Sequence, residues 1–438
     1  MAQISPFRGI HYNSDRIDNL SNVMTPPYDV ISSAEQQAFY DRDPNNTIRL
    51  VLNKTRDRDT RTDNRYTRAA GHFNEWMTSG VLIRNETPAL FVTTIDFKVN
   101  ETAYTRYGLI AKVGLEPFEK RVILPHERTF SKVRNDRLEL MKACHANFCP
   151  VFTLFPDSGE ILDQFRATVA DYPPESDIID DKGHRHRLWR IGNPEIIDAM
   201  TQAFSPKQLF IADGHHRYET ALNYRNWLAE TDPEFNDAHP GNGIMMYLCS
   251  MSDPGLTILP AHRLLTQVEY ARLSGLLPQA SEFFDIETFL CNNGAPAEIR
   301  SQMEADRTRT TMGVHMKNDA NFYLMRLRPG IMDRLFGEDI PEVLRHLDVT
   351  VLTRLIFMEI LGFDEARLDD ETAIAYTSID AQAIESVKSG KCDVAFILNP
   401  TGIDQVQNVS NEGMTMPRKS TYFYPKVITG QVLNRLKS

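Results

Sequence analysis

Cysteine is scarce in this chain, five in 438 residues, and no two stand in a CxxC spacing. A disulfide framework or a cysteine zinc ribbon is therefore excluded as the organising principle, and free, buried thiols in a reducing compartment are expected. Apolar runs stay far short of the roughly 20 residues a membrane-spanning helix needs. The opening residues Met1-Ala2-Gln3-Ile4-Ser5-Pro6 carry no basic segment ahead of an apolar one, so no secretory signal is expected and a cytoplasmic location follows. Positive charge is in deficit. The formal net charge is −11, which argues against a broad nucleic-acid footprint and confines any anion site to a local basic patch. Also missing are a Walker A loop, a dinucleotide GxGxxG, a GxSxG elbow and an HExxH zinc motif.

What remains is a globular composition, 42% hydrophobic and 24% charged, in a chain long enough for two to four domains. Helical and strand periods alternate along it, predicting a mixed α/β fold with several lobes. Ser32 with Glu35 forms a capping box for a helix to about residue 40. A strand is expected over 47–52 and an amphipathic helix around 66–77. A hairpin spans 90–99 and 104–115, and an apolar strand over 122–129 ends in a polar cluster. Asn193-Pro194 starts a helix to Phe204. Later strands are expected over 311–315, 322–326, 373–376 and 394–398, with one long helix over 341–361. The expected lobes are 1–115, 116–265 and 266–438.

The rest of the chain is organised around 211–222. A short apolar strand over 209–212 meets a turn at Asp213-Gly214, then a helix whose first turn carries His215, His216 and Arg217. Cations at a helix N-terminus oppose the dipole, so either the turn is a solvated surface feature or an anion, most simply a phosphate, sits over it. Other basic turns lie where apolar runs end: His126-Glu127-Arg128, His184-Arg185-His186-Arg187 and His262-Arg263. At the carboxyl ends of strands such groups meet ligands in α/β sheets. On an acidic protein they also pair with carboxylates. Strand alternation puts His184 and His186 on one face, where both readings stand. Glu127 and Asp213 are the acidic candidates, as general base or Mg²⁺ ligand. Their plainer roles would be an ion pair with Arg128 or Lys132 for Glu127, and a turn residue or cap for Asp213. A zinc site is not expected, because adjacent His215 and His216 point about 100° apart on a helix.

These stretches resemble the prokaryotic family called domain of unknown function 1015 over nearly the whole length. The resemblance rests on Pro27-Tyr28-Asp29-Val30-Ile31-Ser32, Pro125-His126-Glu127, His186-Arg187-Leu188-Trp189 and 211–221. It rests further on Asp253-Pro254-Gly255-Leu256, Leu259-Pro260-Ala261-His262-Arg263 and 416–426. More distantly, Pro125-His126-Glu127 followed by Asp213-Gly214-His215-His216-Arg217 is similar to the motif pair of the ParB/sulfiredoxin superfamily, and within it to free-serine kinases. That similarity implies a ParB/sulfiredoxin-like core in which strand, turn and helix cradle nucleotide phosphates, here with a long insertion over 155–207. Where sulfiredoxins carry cysteine, this chain has His215, which argues against sulfinic-acid chemistry.

The expectation is a nucleotide-dependent phosphotransferase for a small hydroxyl compound, serine first. It takes ATP or ADP (CTP as an alternative) with Mg²⁺ held at Asp213, and binds neither nucleic acid nor membrane. Glu127, Asp213 and His215 are the catalytic candidates. Gly214, His216, Arg217 and His126 bind phosphate, while His262, Arg263, Lys419 and Ser420 close over the top. Two alternatives keep the same anion site, a nucleotide-binding regulator or scaffold without transfer and a phosphate-ester hydrolase.

Overall fold

A computed structural model describes residues 1–170, 172–290, 294–370 and 372–437. The chain forms two compact units, Met1–Thr257 together with Pro425–Ser438, and Ile258–Tyr424. The architecture is mixed α/β, as the alternating periods predict.

The first unit is built on a nine-stranded sheet in the order Ile123–Leu124, Leu209–Asp213, Val151–Phe155, Gly243–Ser250, Thr102–Gly114, Leu90–Val99, Arg185–Ile191 and Ser176–Ile179, with Ile4–Ser5 added along Thr102–Gly114. Two pairings are parallel, Leu209–Asp213 with Ile123–Leu124 and Gly243–Ser250 with Val151–Phe155. Val151–Phe155 and Gly243–Ser250 are buried at every position, the signature of strands covered on both faces. Helices Glu160–Ala170, Pro194–Phe204 and His215–Thr231 pack Phe165, Phe204 and Tyr218 into one core with Val151, Ile211 and Met246. A second core gathers Phe73 and Trp76 of helix Arg65–Thr78 with Leu140 of helix Ser131–Cys144. Expected lobes 1–115 and 116–265 share this sheet, because Thr102–Gly114 pairs with Gly243–Ser250. The C-terminal residues from Pro425 also belong to this unit.

The second unit holds a six-stranded sheet in the order Phe284–Leu290, Asn321–Leu327, Thr311–Met316, Val394–Leu398, His262–Leu265 and Ile374–Thr377. Its neighbouring strands pair antiparallel. Helices Ala295–Ala305 and Asp380–Lys388 bury Ile299, Met303, Ala383 and Val387 against it.

Three expectations change. The segment 47–52 holds a helical turn, Ile48–Val51, entered through Thr47, and the Asn46 side chain accepts the Ile48 N–H at 2.9 Å. Apolar residues at 48, 50 and 51 suit a buried turn as well as a strand. The strand expected over 122–129 shrinks to Ile123–Leu124, since Pro125 has no N–H to extend the ladder. The single helix over 341–361 is broken into Glu342–Arg345, Asp348–Val351 and a wider-wound Leu352–Ile360. Among the described residues no helix is long and apolar enough to cross a membrane. The four described cysteines, Cys144, Cys149, Cys249 and Cys392, are free thiols; Cys291 lies outside the described residues.

Candidate functional site

The parallel pairing of Ile123–Leu124 with Leu209–Asp213 sends both strands toward the same edge. Pro125-His126-Glu127 leaves the end of one strand and Asp213-Gly214 leaves the end of the other. Motifs more than eighty residues apart in sequence are thereby placed side by side, at the carboxyl ends where α/β sheets bind ligands. The register of Leu209–Asp213 against Val151–Phe155 slips between Ile211 and Asp213. The regular strand alternation is thus interrupted just before Asp213.

Gly214 is the N-cap of helix His215–Thr231, at φ +94° and with no side-chain cap. No acidic residue lies in the first turn. The first N–H groups of a 17-residue helix are left without the usual side-chain acceptor. Gly214 is required for a second reason. A Cβ there would lie 2.8 Å from both Cζ and Nε of Arg217, whose guanidinium folds back beneath the turn. Arg217 is buried and donates to the Pro150 carbonyl and the Asp213 carboxylate. Lys426 pairs with the other Asp213 oxygen. Burial opposes the charge on Asp213, but Lys426 and then Arg217 hold its pKa well below the usual carboxylate range. Asp29 lies within electrostatic reach of the same group. The residue is exposed at the surface; partial desolvation first, and the Asp213 charge second, raise its carboxyl pKa.

The two histidines act on the neighbouring loop. The backbone N–H of His126 donates to His215 Nε2 at 3.2 Å, and that of Phe130 donates to His216 Nε2 at 2.9 Å. Each Nε2 is thus an acceptor, so each neutral ring carries its proton on Nδ1. Burial is the leading cause that lowers both pKa values. Neutral rings also remove the conflict with the helix dipole. His215 Nδ1 faces Glu127 Oε2 at 3.7 Å, and the His126 ring meets the His215 ring edge-on at 4.7 Å between centroids. Phe130 stacks on His216, while Thr129 and Arg134 both bind Glu219. The loop carrying Glu127 is therefore tied to the helix at three successive points.

Beside this group a cavity of about 50 Å³ is lined by Tyr28, Arg137, Cys149 and Arg217. It has room for a few waters and none for a nucleoside. Arg137 stacks over Tyr28 at 4.1 Å and donates to the Val51 carbonyl at 2.6 Å.

Glu127, His126, Asp213, Gly214, His215, His216 and Arg217 are thus brought together in the first unit. His262, Arg263, Lys419 and Ser420 belong to the second. There His262 is buried against Asp380 at 2.6 Å, which Arg300 also binds. Arg263 donates to the Arg418 and Lys419 carbonyls at 3.1 and 3.0 Å. Arg263 and Lys419 lie 4.6 and 5.2 Å from the Tyr376 ring, and Ser420 donates to the Pro417 carbonyl at 2.5 Å. Residue-by-residue reading of the sequence passed over Asp29 and Lys426 as site residues. Both lie within stretches that carry the family resemblance, 27–32 and 416–426.

Residues 4–350 match the family described as "Protein of unknown function (DUF1015)", and the chain belongs to that family. No curated protein matches it. Among solved structures it is similar to "Free serine kinase in complex with AMP", at 12% identity and a TM-score of 0.32 over 72% of this chain and 86% of that one. It is similar to a conserved hypothetical protein from Pyrococcus furiosus, at 12% identity and a TM-score of 0.33 over 73% and 92%. A third is SbnI with C-terminal truncation from Staphylococcus aureus, at 11% identity and a TM-score of 0.34 over 73% and 85%. At these scores the likenesses carry no argument about activity, and the reading below stands on the residues of the site.

Proposed function

We propose that this member of the DUF1015 family transfers a phosphoryl group from a nucleotide to the hydroxyl of a small metabolite, serine being the first acceptor to test. The observation that carries the reading is the meeting of three features at one strand-end edge. These are an uncapped helix N-terminus at Gly214, a Glu127 carboxylate held by a pinned loop, and the Asp213 carboxylate compensated by Lys426 and Arg217. Phosphoryl transfer asks a protein mainly to position its reactants and neutralise charge.

In this reading the free N–H groups of His215 and its successors receive phosphate oxygens of ATP or ADP, CTP being the alternative donor. Gly214 lets the backbone approach them. His126, His215 and His216 act as positioning residues that fix the loop, and the His215 Nδ1 proton faces Glu127 and orients its carboxylate. Glu127 takes the proton of the acceptor hydroxyl. Asp29 and Asp213 supply oxygen donors of the kind Mg²⁺ takes beside phosphates and water. Both Asp213 oxygens are already engaged by cations, so Asp29 is the better ligand of the two. Bound there, Mg²⁺ would neutralise phosphate charge.

A regulator that binds nucleotide without transfer would share the anion site and dispense with Glu127, and an ester hydrolase would release phosphate with no acceptor present. Calorimetric titration with a nucleotide panel, then mass-spectrometric detection of phosphorylated products from a set of free amino acids, separates the three. Binding with a phosphorylated amino acid is expected. Binding without product, or phosphate release that no acceptor changes, would replace the proposal with the corresponding alternative.

A further inference from the structure

The His184–Arg187 cluster takes no part in the site above. Ser176–Ile179 and Arg185–Ile191 form a hairpin at the far edge of the first unit's sheet, joined through Asp180. Asp180 Oδ1 accepts the N–H groups of Lys182 and His184, each at 2.9 Å, which fixes the carboxylate against the turn. Its other oxygen, Oδ2, lies 3.1 Å from His184 Nδ1 and 3.1 Å from His186 Nε2. His184 and His186 are 5% and 0% exposed. The three ligand atoms lie within 4.8 Å of one another.

Two buried imidazoles converging on a single carboxylate oxygen is a poor way to stabilise a hairpin. Apolar residues of similar volume would serve at least as well. Among the described residues, His186 Nδ1 is buried without a hydrogen bond. The geometry suits a different purpose. A tetrahedral site with metal–ligand bonds of about 2.0 Å has ligand–ligand edges of roughly 3.3 Å, close to both 3.1 Å separations.

We infer that Asp180, His184 and His186 form a binding site for a divalent cation of the zinc class, with a fourth position left to water. Two nitrogens and one carboxylate oxygen select Zn²⁺ or Co²⁺ over Mg²⁺ or Ca²⁺, which prefer all-oxygen sets. The site shares no residue with the candidate nucleotide site. It also goes against the expectation of no zinc site, which rested on helix geometry at His215-His216. Strand alternation two residues apart supplies the common face that adjacent helical positions deny.

The test is titration of the metal-free full chain with Zn²⁺ alone, and with Co²⁺ read by visible absorption. One equivalent should bind in wild type, with Co²⁺ giving tetrahedral nitrogen–oxygen bands and no thiolate charge-transfer band. Asp180→Asn should weaken binding at least tenfold and His184→Gln similarly, with thermal melts of both variants run without metal to confirm folding. If either variant fails to fold, the Co²⁺ spectrum of wild type decides. Absence of binding in wild type would overturn the assignment, as would a thiolate band or a stoichiometry unchanged in both folded variants.

Discussion

Replacing Gly214 with alanine separates backbone strain from the packing role of the turn. Gly214 sits at φ +94° and Gly80 at φ +75°, so a side chain at either carries a left-handed penalty of about 1–2 kcal/mol. They differ in what the new Cβ meets. At Gly80 nothing lies within 4 Å, whereas at Gly214 the Arg217 guanidinium is 2.8 Å away. That group is anchored on Pro150 and Asp213, and displacing it adds overpacking of about 1–3 kcal/mol. Gly80→Ala should therefore cost about 1–2 kcal/mol and Gly214→Ala about 2–5 kcal/mol. The three tryptophans, Trp76, Trp189 and Trp227, all lie in the first unit, so their fluorescence follows unfolding of that unit. The melting temperatures of the two variants should differ by at least about 2–4 °C. Equal melting temperatures would refute the claim that Gly214 exists to seat Arg217.

Three further outcomes follow from the same geometry. Arg217→Ala leaves a buried carboxylate with Lys426 as its remaining partner, and should destabilise the first unit by about 3–5 kcal/mol in urea titrations followed by tryptophan fluorescence. A loss of activity in that variant accordingly speaks to folding before chemistry. His216→Ala removes the acceptor of the Phe130 N–H and should cost about 1–3 kcal/mol, with faster hydrogen exchange confined to 126–134 by mass spectrometry. His126, His215 and His216 have folded pKa values lowered by burial. A lowered value means the stabilisation is complete above the unfolded pKa of about 6.5 and is lost as pH falls. Each contributes up to about 1.4 kcal/mol per pH unit below that point. Stability of the first unit should therefore drop between pH 6.5 and 5, and His215→Gln should flatten the slope by one histidine's share.

Much of the first unit was legible in the sequence where local chemistry is decisive. Ser32 with Glu35 gives the capping box of helix Ser33–Arg42, and Asn193-Pro194 starts a helix that ends at Phe204. The strand, turn and helix around Gly214 also follow from residue type alone. What local chemistry does not encode is which strand ends meet. The parallel neighbour relation that sets Glu127 beside His215 depends on the whole sheet order, and the motif pair pointed to it only through resemblance. Lys426 reaches Asp213 across more than two hundred residues, a contact no periodicity announces. The misread helical turn Ile48–Val51 shows the converse problem. Four apolar-rich residues fit either period, so periodicity alone does not decide between turn and strand there. His215 and His216 stand out in the sequence as unusual at a helix start. Their observed contacts are to backbone N–H groups of the neighbouring loop, and neutral rings explain why the helix tolerates them.

The central claim is that Glu127 does chemistry at a site whose other groups bind and position. Its direct test is single-turnover transfer of labelled γ-phosphate from ATP with Mg²⁺ to free serine, comparing wild type with Glu127→Gln while calorimetry measures nucleotide affinity for each. The account predicts phosphoserine from wild type, unchanged nucleotide affinity in the variant, and a transfer rate lower by about 10²–10⁴-fold. Transfer by Glu127→Gln at the wild-type rate, or a nucleotide affinity that falls in step with it, would contradict the account.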